Sequence, residues 1–165
     1  MVSSVATFFI FFFAFILILL ILYFVVRSNN RIVSDVFFIN QVSTGDFLAV
    51  SGNEVVTLET NSGSNVWALY QLTDQGNNSI FQIFNIDANS AIGYPSSPVE
   101  GDKVTAGGTV NQWQIRSAGS GQYNIVPSRN TSLSLSASDT ESELVVTTGT
   151  TQQDNVFIFN RILTR

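Results

Sequence analysis

Three consecutive segments of the chain carry the same short patterns in the same order, and this repeat constrains the fold more than any other feature of the 165 residues. An aromatic residue two positions before Ile opens each segment, at Phe37-Phe38-Ile39, Phe81-Gln82-Ile83 and Tyr123-Asn124-Ile125. An apolar–small–apolar step follows, at Leu48-Ala49-Val50, Ile92-Gly93-Tyr94 and Leu133-Ser134-Leu135. Each segment closes on Asn-x-aromatic-x-apolar, at Asn65-Val66-Trp67-Ala68-Leu69, Asn111-Gln112-Trp113-Gln114-Ile115 and Asn155-Val156-Phe157-Ile158-Phe159. The repeats therefore cover residues 35–72, 79–116 and 121–161.

Short β-rich runs separated by Gly, Asn, Ser, Asp and Pro fill these repeats, and no stretch within them sustains a helical period. The runs predict strands at residues 47–50, 55–58, 80–86, 122–126, 132–135, 143–147 and 156–159. Three units are too few for a propeller, which needs four or more blades. A closed arrangement with pseudo-threefold symmetry would leave no strand edge unpaired. We therefore predict one all-β domain over residues 35–165.

The closing pattern of each repeat resembles the Gln-x-Trp-x-apolar signature of the ricin-type β-trefoil family, and the resemblance covers residues 35–161. The aromatic and the following apolar position match in all three repeats, although Phe157 replaces the third Trp. Asn65, Asn111 and Asn155 stand where the signature has Gln. The resemblance implies a β-trefoil. We expect the large aromatics Trp67, Trp113 and Phe157 to lie in the core, and the three Asn amides to hold turns.

Sugar-binding members of this family use, in each active repeat, an Asp within the apolar step, a stacking aromatic and an Asn before the signature. In this chain the Asp positions, here called the step positions, hold Ala49, Gly93 and Ser134. The stacking regions contain no aromatic residue, and the Asn positions hold Ser64, Val110 and Asp154. All three sets are therefore incomplete. Repeat 2 alone keeps candidates for a modified carbohydrate pocket, at Tyr94, Asp102 and Asn111.

The composition removes most catalytic chemistry. The chain has neither Cys nor His, so disulfides, thiolate or imidazole metal sites and His-dependent nucleophiles have no starting material. We accordingly expect no catalytic residues, no bound metal and no cofactor. The chain has a net charge of −5 and one Lys, Lys103, which argues against nucleic acid as a partner. These features favour a non-enzymatic binding protein.

Residues 8–26 are nineteen consecutive apolar or aromatic residues without a charge. As a helix they would extend roughly 28 Å, enough to cross the hydrocarbon core of a bilayer. A cleaved signal peptide would have a basic start and a shorter apolar run, and a buried soluble helix would show a polar face. We therefore predict a retained transmembrane anchor over residues 1–27, followed by a linker over residues 28–34.

The charges beside this segment predict its orientation. Arg27 and Arg31 both lie on its C-terminal side, so the positive-inside rule keeps the domain on the cytoplasmic side of a single-pass protein. Two sequons, at Asn77 and Asn130, point the other way, because they would be glycosylated only in a secretory lumen.

Two functions are compatible with these observations. In the first, the lipid bilayer holds residues 8–26 and the domain binds a protein layer next to the membrane. A minor structural protein of a large DNA virus with an internal membrane would need such a tether, with its domain facing the shell. In the second, the chain is a membrane-anchored lectin of the ricin type that binds carbohydrate from the lumenal or outer side.

Overall fold

The computed structural model describes residues 35–61, 64–74, 76, 79–137, 143–149 and 153–162. Over these ranges the regular structure is dominated by β-strands, as the sequence predicts. Within the same ranges no helix is long and apolar enough to cross a membrane. The anchor and linker predicted at residues 1–27 and 28–34 lie outside the described residues.

Twelve strands are described, four in each repeat. Repeat 1 contains β1 (Val36–Gln41), β2 (Phe47–Ser51), β3 (Glu54–Leu58) and β4 (Trp67–Thr73). Repeat 2 contains β5 (Ile80–Asn85), β6 (Ser90–Gly93), β7 (Thr105–Ala106) and β8 (Trp113–Gly119). Repeat 3 contains β9 (Gln122–Pro127), β10 (Leu133–Ala137), β11 (Leu144–Thr148) and β12 (Phe157–Arg161), with a short 3-10 helix at Gln153–Asn155 before the last strand.

The first and fourth strands of each repeat form a closed six-stranded antiparallel barrel. Its order is β1-β4-β5-β8-β9-β12, and β12 pairs back with β1. The same pairing recurs wherever the fourth strand of one repeat meets the first strand of another: Ile39 pairs with Phe159, Ile83 with Leu69, and Ile125 with Ile115. Closure gives all six strands a neighbour on both sides, which satisfies the backbone without an exposed edge.

The second and third strands of each repeat form hairpins, β2–β3, β6–β7 and β10–β11, which together make a cap on the barrel. Single bridges join the hairpins to one another: Glu54 with Thr105, Val56 with Glu143, and Lys103 with Val145. An ion pair between Lys103 Nζ and Glu143 Oε2, 2.5 Å apart, adds to the contact between repeats 2 and 3.

The core repeats the sequence pattern in space. Ile39, Ile83 and Ile125 are fully buried, and so are Trp67, Trp113 and Phe157. The two indoles make the same hydrogen bond in their own repeats: Trp67 Nε1 donates to the Leu48 carbonyl at 2.9 Å, and Trp113 Nε1 donates to the Ile92 carbonyl at 3.0 Å. In repeats 1 and 2 the fourth strand is thereby joined to the hairpin of its repeat. Phe157 has no ring N–H and cannot make this bond in repeat 3.

Candidate functional site

The three step positions lie at equivalent places in the cap hairpins, and all three are buried. Ala49 and Ser134 have no solvent exposure, and Gly93 is also buried. Each follows a core residue on the second strand of its repeat, so a side chain at these positions is directed away from the barrel interior. Neighbouring chain covers that direction, so the three step positions have no opening to solvent.

The closure is tightest in repeat 2. A Cβ atom added to Gly93 would lie 2.7 Å from the Val110 carbonyl oxygen and 2.8 Å from the Gly108 carbonyl oxygen. Both are backbone atoms, and Val110 is held by two hydrogen bonds: its carbonyl accepts from the Tyr94 N–H at 3.0 Å and its N–H donates to the Tyr94 carbonyl at 2.9 Å. No side chain fits at Gly93 unless the backbone moves, and a carboxylate is therefore excluded there.

In repeat 3 the step position is occupied by an internal hydrogen bond. Ser134 Oγ donates to the Gly149 carbonyl oxygen at 2.8 Å. Asn155 Nδ2 donates to the same carbonyl. Ser134 and Asn155 are both fully buried. The Ser134 hydroxyl is therefore used in an internal hydrogen bond and does not reach solvent.

The structure does not form the expected carbohydrate pocket around Tyr94, because this side chain is only 1% exposed. Its hydroxyl donates to the Gln112 carbonyl at 2.7 Å and lies 3.2 Å from Ser128 Oγ. Its ring packs edge-on against Trp113, with the ring centroids 4.7 Å apart. Tyr94 is a core residue at the position that Val50 and Leu135 occupy in the other repeats, and no face of its ring is free to stack on a sugar.

The two other candidates for that pocket have different surroundings. Asp102 is half-buried, and its Oδ2 accepts a hydrogen bond from the Val99 N–H at 2.8 Å, which closes a turn. Asn111 is half-buried and directly follows Val110, the partner of Tyr94. The hydrogen bond from the Val99 N–H shows that the carboxylate of Asp102 stabilises a local turn.

Two of the three Asn residues of the repeat signature hold the loops that precede them. Asn65 Nδ2 donates to Asn61 Oδ1 at 2.6 Å, and Asn155 Nδ2 donates to the Gly149 carbonyl. Asn65 is 3% exposed and Asn155 is fully buried. At these two positions the amide acts within the fold.

Of the two sequons, Asn77 lies outside the described residues. Asn130 is half-buried, and its Nδ2 donates to the Pro98 carbonyl at 3.1 Å while its Oδ1 accepts from Ser132 Oγ at 2.7 Å. In the part of the chain that the structure describes, no group of three or more acidic side chains could hold a metal ion.

Sequence reasoning did not find an apolar row on the outside of the barrel, formed by Val36, Tyr70, Leu72 and Phe84. Tyr70 and Leu72 are 37% and 47% exposed, whereas Val36 and Phe84 are half-buried. The rings of Tyr70 and Phe84 meet edge-on, with centroids 5.9 Å apart. An alignment of the three repeats on their signature aromatics gives a signal for this row. It places the aromatic Tyr70 of repeat 1 at the same position as the polar Arg116 and Asn160.

The fold has well-defined relatives among solved structures. The Rhizoctonia solani agglutinin is 17% identical, with a TM-score of 0.67 over 79% of this chain and 97% of that one. The Macrolepiota procera ricin B-like lectin, solved in complex with lactose, is 18% identical, with a TM-score of 0.65 over 80% and 99% of the two chains. The BEL beta-trefoil is 14% identical, with a TM-score of 0.60 over 78% and 93%.

No protein-family pattern and no curated protein sequence matches the chain. The likeness therefore lies in the architecture alone, at identities too low to carry a binding activity from one protein to the other. A six-stranded barrel capped by three hairpins, with these structural relatives, shows that the described residues between 35 and 162 form a β-trefoil.

Proposed function

We propose that the chain is a non-enzymatic, membrane-anchored interaction module whose β-trefoil binds a protein layer beside the membrane. The burial of all three step positions is the observation that supports it. The resemblance to ricin-type lectins implies a sugar-binding Asp at those positions, and here Gly93 has no room for a side chain while the Ser134 hydroxyl is bonded internally. A compact domain without these openings is better suited to contacts across its surface.

The sequence around the anchor supports a fixed neighbour. At ~3.5 Å per residue the linker of residues 28–34 reaches at most about 25 Å. A domain held so close to the bilayer has little room to search for ligands but is well placed against a layer that lies parallel to the membrane. The virion of a large DNA virus with an internal membrane beneath its shell is a setting that would use such a minor structural protein, on the shell-facing side.

Photo-cross-linking in intact membranes or particles tests this function. A photoreactive residue is introduced in the full chain at Asn53, in the β2–β3 turn of the cap, or at Ser120, in the β8–β9 turn at the other end of the barrel. Both positions are exposed. We expect one dominant protein partner to be captured from one of these two ends. The proposal would be contradicted if both positions captured only lipid or only further copies of the chain.

Carbohydrate binding is the second candidate, and the architecture shared with a lactose-bound lectin favours it. Any such site would differ from the pocket expected around Tyr94. A glycan array probed with the full chain in detergent would detect it, with the emission of the buried Trp67 and Trp113 as the check that the domain is folded. We expect a blank array; specific, competable binding by the folded chain would establish the lectin instead.

A further inference from the structure

The pseudo-threefold repeat provides an internal comparison for the outside of the barrel. Alignment on Trp67, Trp113 and Phe157 makes the residues three positions later equivalent: Tyr70, Arg116 and Asn160. Arg116 donates from its guanidinium to Gln114 Oε1 and to the Thr131 carbonyl, and Asn160 Nδ2 donates to Asn40 Oδ1. These two positions are therefore polar and bonded along the surface, whereas Tyr70 packs against Phe84.

The apolar row is uncharged and partly open to solvent. Leu72 lies at the irregularity in the β4–β5 pairing, between the pairs Gln71–Phe81 and Thr73–Ile80, and is 47% exposed. The equivalent irregularity in β8–β9 carries Ala118, a much smaller side chain. At these equivalent positions repeat 1 therefore has larger apolar side chains, Tyr70 and Leu72, where repeat 2 has Arg116 and Ala118.

The apolar row lies where the described chain begins. Val36, the first residue of β1, pairs with Ala68, and Tyr70 and Leu72 follow on β4 beyond the start of β1. The predicted membrane-spanning residues end at Val26, eight residues before Ser34. The sides that carry Tyr70 and Asn160 both flank the start of β1, since β4 pairs with Val36 and the Ile162 N–H donates to the Val36 carbonyl at 2.7 Å, and of these two the side with Tyr70 is the apolar one.

We infer that the apolar row lies against the lipid surface of the membrane that holds the chain, an inference that rests on the anchor in the proposed function. Tyr and Leu side chains are favoured at the boundary between headgroups and acyl chains, because an amphipathic ring suits that region and the aliphatic group leaves water. Two exposed side chains are far too few for a stable protein interface, which buries about 1,600 Å² in total. A weak contact still suffices here, because the tether keeps the surface at high effective concentration near the bilayer.

The chain itself offers a matched experiment, because it contains no Cys. Single-cysteine variants Tyr70→Cys, Arg116→Cys and Asn160→Cys of the full chain are labelled with an environment-sensitive fluorophore and reconstituted into phosphatidylcholine vesicles. Nitroxide-labelled phosphatidylcholine then quenches fluorophores near the lipid surface. We expect quenching at position 70 to exceed that at the equivalent positions 116 and 160 by about twofold or more, because only the first lies at the lipid boundary. Leu72→Cys against Ala118→Cys gives an independent pair if the substitution at Tyr70 perturbs the domain.

Two further measurements separate the possible failures. Flotation of the vesicles reports the anchor: a chain that does not float with lipid contradicts the proposed function itself. If the chain floats but the equivalent positions are quenched equally, the anchor stands and the lipid contact of the apolar row is overturned. A label at position 70 that is protected from iodide in water yet not quenched by lipid would indicate a protein or a second copy over the row, which also overturns it.

Discussion

Phe157 is the one signature aromatic that is not Trp, and it lacks the hydrogen bond that the two Trp residues make. In repeats 1 and 2 the indole N–H joins the fourth strand to a carbonyl of the hairpin, at Leu48 and Ile92. A phenyl ring fills the equivalent core site in repeat 3 without that bond. The packing requirement is thus kept in all three repeats, while the hydrogen bond is kept in two.

Substitution of Trp113 separates these two contributions. Trp113→Ala should lower the free energy of unfolding by about 3–5 kcal/mol, since it removes a fully buried ring that also supports Tyr94. Trp113→Phe, which copies repeat 3, retains most of the packing, and its loss of the buried hydrogen bond should cost about 1 kcal/mol. Denaturant unfolding of the full chain in mild detergent measures both. An unchanged midpoint for Trp113→Ala would contradict its place in the core.

Gly93 tests the closure of the step positions. Gly93→Ala should destabilise the domain by about 1–3 kcal/mol, because the new Cβ would lie 2.7 Å from the Val110 carbonyl oxygen and the backbone must shift. Ser96→Ala, at an exposed position nearby, is the control and should change stability by less than about 0.5 kcal/mol. Thermal melting of the two variants compares them directly. Equal melting temperatures would mean that the step position of repeat 2 is open.

Tyr94 shows where residue-level reasoning from the sequence stops. Its position in the apolar step, equivalent to Val50 and Leu135, is a core position in all three repeats. The chemistry of a Tyr suggested a ligand platform, but a phenol can be fully buried when its hydroxyl finds partners, here Gln112 and Ser128. The repeat pattern was the better guide to burial than the residue type.

The runs predicted as strands are rich in β-branched and aromatic residues, although β1 (Val36–Gln41), which has the same composition, was not among them. The runs predicted at 80–86, 122–126 and 143–147 correspond to β5, β9 and β11 within two residues at each end. Local composition hid β6 and β7, because Ser90–Gly93 and Thr105–Ala106 are short and made mostly of small residues. They pair because the surrounding hairpins and bridges hold them together, and that information lies far apart in the sequence.

The fourth strands β4 and β8 were not recognised as strands, although their first residues supplied the repeat signature. Each begins on a buried Trp and becomes exposed toward its end, and neither Trp67–Thr73 nor Trp113–Gly119 is rich in the β-branched residues that mark a strand. The closed barrel supplies the missing order, since β4 pairs with both β1 and β5 and β8 with both β5 and β9. Pairing on both sides satisfies the backbone regardless of side-chain propensity.

At the scale of the molecule, the threefold repeat was predictable and the departures from it were not. The repeat follows from three sets of core residues that must converge on one axis. The apolar row depends instead on which side of a closed barrel a residue occupies, which can be read only after the strand register is known. The three repeats therefore share a core but differ at the surface, as the apolar side of the barrel in repeat 1 shows.

Sidedness decides between the two proposed functions, and Arg27 and Arg31 predict it. Both basic residues follow the apolar run, so the domain should stay on the cytoplasmic side while the short N-terminus is translocated. When the full chain is synthesised with sealed microsomes, externally added protease should digest the domain, and Asn77 and Asn130 should carry no glycan. A variant with an N-terminal extension that contains a sequon should be glycosylated, which shows that the insertion machinery reached the other end.

The opposite result would change the function and not only the topology. A protease-protected domain with glycan at Asn130, together with an unmodified N-terminal extension, would place the trefoil in the lumen. There the shell-facing tether has no layer to bind, whereas carbohydrate ligands are abundant. Because the folded Asn130 side chain is bonded to Pro98 and Ser132, such a glycan would have been added before the domain closed. A glycan at Asn130 therefore reports that the domain reached the lumen during its synthesis, independently of how the folded trefoil later binds.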